Sequence, residues 1–115
     1  MTEIDPVKNS AALALNSLDE WLKPEPIPKN MLTMSDTAYV THEPYGVTLV
    51  IGAWNFPISV TLLPVIGALA AGNAVLIKPS EISVNVSHAF ARWIPEYLDT
   101  VRFFLTFNYT TYIPL

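Results

Sequence analysis

Apolar residues recur at helical spacing near the start of the chain, where Val7, Ala11, Ala14, Leu15, Leu18, Trp21 and Leu22 fall along one stripe. The spacing predicts an amphipathic helix over 6–23, with Leu13 off the stripe. Asp5 is placed to act as its N-cap, with Pro6 at the first helical position, where a missing N–H costs nothing. Lys23 suits the C-terminal end of the helix dipole, and Pro24 stops the helix. A stiff Pro-rich connector follows at 24–28 and continues as loop to Thr37. Tyr39 to His42 has the β character of a short extended strand.

No charged residue lies between Glu43 and Lys78. Within that stretch Val47 to Gly52 is short and β-branched, the profile of a strand covered on both faces. A turn is expected at Ala53-Trp54-Asn55-Phe56-Pro57. Ile58 to Ala71 then reads as a mostly apolar helix closed by Gly72-Asn73, and Ala74 to Ile77 as a second buried strand. Strand, helix and strand make a βαβ unit, whose right-handed crossover sets the two strands parallel. Ligands of open parallel sheets sit beyond the carboxyl ends of the strands. The polar residues fall there: Trp54 and Asn55 after the first strand, Lys78 to Glu81 after the second. A last amphipathic helix is predicted over 83–98, with Val86, Phe90, Ile94 and Leu98 on one face, Ser83 as its cap, and Pro95 placed to kink or shorten it. His88 reads as a surface position on that helix rather than a ligand.

The fold class expected is therefore α/β, a partial Rossmann-like βαβ unit of two to three parallel strands preceded by an amphipathic helix. Residues 1–36 form the helix and connector, 37–100 the partial α/β domain, and 101–115 a hydrophobic tail.

Composition narrows the function classes. The chain has 115 residues, 51% of them hydrophobic, and a net charge of −4, enough apolar residues for one small core. Six scattered basic residues argue against nucleic acid, which needs clustered Lys and Arg. The absence of cysteine excludes disulfides, thiolate chemistry and Cys-type zinc sites, and two distant histidines, His42 and His88, leave no metal site. The uncharged stretch is long enough for a bilayer, but Pro57, Pro64, Asn55 and Asn73 inside it argue against a membrane span. The acidic N-terminus carries no secretory signal pattern. The sequons at Asn85 and Asn108 then read as chance, and a cytoplasmic location is expected.

The stretch from Glu43 to Glu81 resembles the opening of the cofactor-binding domain of aldehyde dehydrogenases, nearest the class 3 (fatty-aldehyde-type) branch. The match extends from about Leu15 to Asp99. The resemblance implies NAD or NADP as cofactor, and an aldehyde as substrate of the complete enzyme. It implies that Asn55, in Trp54-Asn55-Phe56-Pro57, donates its amide to the oxyanion formed from the aldehyde, chemistry worth about 3–4 kcal/mol when an oxyanion donor is removed. Lys78 and Glu81, in Lys78-Pro79-Ser80-Glu81, would flank the adenine ribose, Pro79 would position that loop, and the Trp54 backbone would line the cofactor channel. The residues alone also permit a plain turn at Asn55 and a solvated Lys78–Glu81 pair. No G-x-G-x-x-G fingerprint is present, so the cofactor follows from the resemblance only.

The departures are specific. The family's nucleophilic cysteine, its glutamate base and its G-x-T-x-x-G turn are not in this sequence, so these residues by themselves are expected to show no turnover. Residues after Asp99, VRFFLTFNYTTYIPL, resemble no part of the family, and both ends look truncated. Two readings follow: a fragment of an NAD(P)-dependent aldehyde dehydrogenase, or a non-catalytic truncated isoform acting as an interaction module with full-length subunits. Class 3 resemblance also hints at a homo-oligomer. Open strand edges and the aromatic tail predict poor solubility or the need for a partner.

Overall fold

The computed structural model describes residues 2–32, 34–99 and 103–105. Helix α1 (Ile4–Trp21) is followed by two short strands, β1 (Glu25–Pro26) and β2 (Tyr39–Val40), which pair antiparallel. A three-stranded parallel sheet follows: β3 (Val47–Ile51), helix α2 (Ser59–Ala70), β4 (Ala74–Lys78), helix α3 (Val84–Tyr97) and β5 (Phe103–Leu105), in the order β3-β4-β5. The third parallel strand thus comes from within 101–115. The rest of that tail, and Asn108 with it, lies outside the described residues.

The core forms on one face of the sheet. Val50 of β3 and Val75 and Ile77 of β4 pack against Val65 of α2 and Phe90 and Ile94 of α3. Fully burying a side chain such as Val75 or Ile77 contributes about 1.5–3 kcal/mol. Helix α1 docks on α2 as an outer layer. Its half-buried apolar positions, Val7, Ala11, Ala14 and Leu18, are the core of the predicted stripe, whereas Leu15, Trp21 and Leu22 stay exposed. A helix laid against one other helix covers a narrower strip than one laid on a sheet.

Four local expectations are corrected. Strand β3 is covered on one face only: Val47, Leu49 and Ile51 are 70%, 54% and 63% exposed, because α2 and α3 lie on the same side of the sheet. Helix α1 begins at Ile4 and Asp5 is inside it; Pro6 is accommodated in the first turn, where N–H groups lack intrahelical partners anyway. Helix α3 is not stopped at Pro95 but runs through it to Tyr97, and α2 runs through Pro64 as its predicted span requires. Part of the Pro-rich connector is strand, since extended backbone suits proline and Ile27 N donates to Ala38 O at 3.0 Å.

The turn after α2 follows its sequence closely. Gly72 takes φ +84°; Asn73 N donates to Ala68 O and Gly72 N to Leu69 O, at 3.0 and 2.8 Å, the paired bonds of a Schellman ending. The buried Asn73 side chain does more: its Oδ1 accepts from Gly46 N at 2.9 Å and its Nδ2 donates to Ala68 O at 3.1 Å. It thereby sets the starts of β3 and β4 beside each other.

Candidate functional site

The carboxyl ends of β3 and β4 open into two loops that form one ledge. Gly52 N donates to Lys78 O at 2.9 Å, carrying the strand ladder one step past β3. The first loop then presents Trp54, Asn55 and Phe56, all exposed. The Asn55 side-chain amide makes no hydrogen bond to any other described residue. Behind it the fully buried Thr61 hydroxyl donates to Pro57 O at 2.7 Å. A Cβ on Gly52 would collide with that same hydroxyl, so glycine is needed for β3 to end this close to α2.

The second loop is anchored at its middle and free at its tip. Pro79 and Ser80 are buried; Ser80 Oγ accepts from Ile82 N at 3.3 Å, and Ser80 O accepts from the Ser87 hydroxyl at 2.9 Å. Lys78 Nζ donates to Glu81 Oε2 at 3.0 Å, the lysine side chain mostly covered and the glutamate exposed. A hydrogen bond from its own backbone N–H, and then the neighbouring Lys78 ammonium, hold the Glu81 carboxyl below the usual value of 4.5. Glu81 is thus an ionised acceptor at neutral pH.

The two loops are joined. Ser83 makes no side-chain cap on α3; its hydroxyl donates instead to Trp54 O at 3.3 Å. The structure therefore brings Trp54, Asn55, Lys78, Pro79 and Glu81 to neighbouring strand ends, with Ser83 as the tie. Glu3, Thr61 and Ser83 are contributors that the sequence reading did not place here. Thr61 carried a signal, as a threonine four residues after Pro57 can bond its carbonyl. Glu3 carried none: its Oε2 accepts from Ile58 N and Ser59 N, each at 2.9 Å, across more than fifty residues of chain.

Elsewhere, an open groove of about 340 Å³ lies between the C-terminal ends of α1 and α2, lined by Trp21, Leu22, Ala70 and Ala71 with His42 and Glu25 at its rim. His42 Nε2 lies 3.3 Å from Glu25 Oε1. Among the described residues no helix is long and apolar enough to cross a membrane.

Residues 1–98 match the family model described as "Aldehyde dehydrogenase family". The chain belongs to the aldehyde dehydrogenase family. It is 50% identical over 97 residues to aldehyde dehydrogenase family 3 member A2 of Pongo abelii, covering 84% of this chain and 20% of that protein. It is 51% identical over 85 residues to the dimeric NADP-preferring aldehyde dehydrogenase of Canis lupus familiaris, covering 74% of this chain and 19% of that one. Among solved structures, the substrate-bound state of Staphylococcus aureus AldH superposes with a TM-score of 0.88 at 34% identity, covering 92% of this chain and 23% of that one. The chain thus spans about a fifth of the length of the curated family members it matches. The family match stops before β5, so the third strand is built from residues beyond it.

Proposed function

We propose that this chain supplies the first half of the dinucleotide-binding sheet of an NAD(P)-dependent aldehyde dehydrogenase, an oxidoreductase converting aldehydes to carboxylic acids, with a cytoplasmic location. The observation that carries the reading is the position of Asn55 and the Lys78–Glu81 pair at the carboxyl ends of adjacent parallel strands. In a doubly wound sheet the dinucleotide lies across those ends, where the strand order reverses. The outer edge of β3, unpaired among the described residues, is where such a reversal would occur.

In this reading Glu81, ionised and exposed, accepts hydrogen bonds from the adenine-ribose hydroxyls. Lys78 donates beside it and is the group that would meet a 2′-phosphate, so both NAD and NADP fit. Pro79 and the Trp54 backbone shape the loops around the cofactor. The dinucleotide, when bound, supplies the hydride acceptor. Asn55 contributes a free amide donor toward negative charge developing on the aldehyde oxygen. No cysteine is present in these 115 residues, so the chain's own share of the reaction is binding and orientation. The test is an NMR titration with NAD+ and with NADP+. Perturbation of Lys78 and Glu81 resonances, lost in Glu81→Gln, is expected; equal perturbation in that variant would overturn the ribose role.

A second reading, a non-catalytic module joining full-length family subunits or its own copies, is favoured by the exposed apolar face of β3. Co-purification with a full-length family member from co-expressing cells supports it; separate elution of the two chains removes it.

A further inference from the structure

Helix α2 starts directly after the turn that carries Asn55, and it lacks the usual local means of closing its N-terminus. The residue at the cap position is Ile58, with no side-chain cap and no acidic residue in the first turn. Helix starts leave N–H groups without intrahelical partners. Pro57 has none to satisfy, and Val60 N donates to Phe56 O at 3.0 Å. Of the groups that remain, Glu3 takes those of Ile58 and Ser59. Its Oε2 accepts from Ile58 N and Ser59 N at 2.9 Å each, and from the Ser59 hydroxyl at 3.2 Å. The carboxylate also sits where the positive end of the helix dipole favours negative charge. Glu3 is half-buried and is itself the residue preceding α1.

We infer that Glu3 is a positioning residue for Asn55. It fixes the two N–H groups three and four residues after Asn55, and so sets the direction in which the turn leaves α2. Thr61, on Pro57 O, holds the same turn from inside the helix; Glu3 holds it from another layer of the fold. The contact also fills the N-terminus of α2, which is therefore not available to a phosphate of the cofactor. The functional meaning rests on the reading of Asn55 as oxyanion donor, but the geometry is measurable on this chain without turnover.

The experiment records the Asn55 side-chain amide signals and the hydrogen-exchange rates of Ile58 and Ser59 in the full chain. In Glu3→Ala, exchange at both amides is expected to rise at least about tenfold, the scale of a lost hydrogen bond to a charged group, with displaced Asn55 signals. Glu3→Gln keeps an acceptor but loses the charge, and should restore part of the protection; it is the variant to read if Glu3→Ala does not fold. Val7→Ala, on the face of α1 toward α2, loosens the docking without touching the carboxylate and should leave the Asn55 signals in place. Unchanged signals and exchange in folded Glu3→Ala or Glu3→Gln, or the same displacement in Val7→Ala, would overturn the proposal. The cofactor titration is a separate measurement: failed NAD(P) binding with an intact Glu3 effect removes the ribose clamp and leaves Glu3 standing.

Discussion

Gly52 and Thr61 meet where strand β3 passes into the Asn55 turn, the glycine lying directly against the threonine hydroxyl. That hydroxyl is already bonded to Pro57 O, so it cannot turn aside without losing its partner. Gly52→Ala is therefore expected to destabilise the chain by about 1–3 kcal/mol, the usual cost of overpacking a filled site. A urea-denaturation midpoint measures it. Thr61→Ala added to Gly52→Ala removes the clash, so the double variant should lose less than the two single losses added together.

Asn73 is the buried counterpart at the other end of the sheet, bonded to Gly46 N and Ala68 O. Asn73→Ala strands the Gly46 N–H, at a cost of about 1–3 kcal/mol. Asn73→Asp keeps the acceptor for Gly46 but faces Ala68 O with an oxygen instead of a donor. Its loss should also be measurable by the same denaturation, and stability equal to the parent would contradict the bonding described.

The Glu81 carboxyl is lowered chiefly by its own backbone N–H and next by Lys78. The folded chain thus favours the ionised form. Any stability this contributes is present above the unfolded value near 4.5 and fades as the pH falls through the lower folded value. An NMR titration of the Glu81 side chain should show a midpoint below 4.5. In Lys78→Met the midpoint should rise only part of the way back, because the backbone bond remains. A full return would make Lys78 the dominant cause.

The exposed residues Leu49 and Ile51 lie on the open face of β3, paired in register with Leu76 and Lys78. An apolar sheet face beside an unpaired edge promotes association. The purified chain is expected to sediment as oligomers, and Leu49→Lys with Ile51→Lys should shift it toward monomer. A compact monomer without the substitutions would show that the face does not drive association.

Much of this architecture is legible along the chain. The βαβ unit, the Gly72-Asn73 helix ending and the polar residues at both strand ends follow from local patterns, because each depends on neighbours a few residues away. The antiparallel pair of β1 and β2 was hidden, since a two-residue strand in a Pro-rich segment has no periodicity to read. Ser83 departs from its local pattern for a related reason: a serine before a helix normally caps it, and only the nearness of Trp54 O redirects its hydroxyl.

The sequence by itself determined which residues stand at the ends of β3 and β4, and through their motifs the family. Tertiary structure decided what holds them there. Glu3 reaches the start of α2, Gly52 fits only because Thr61 is behind it, and β3 is bare on one face because both crossover helices lie on the other. These are contacts between residues distant in the chain, and spacing along a sequence encodes helix and strand period but not which layer meets which.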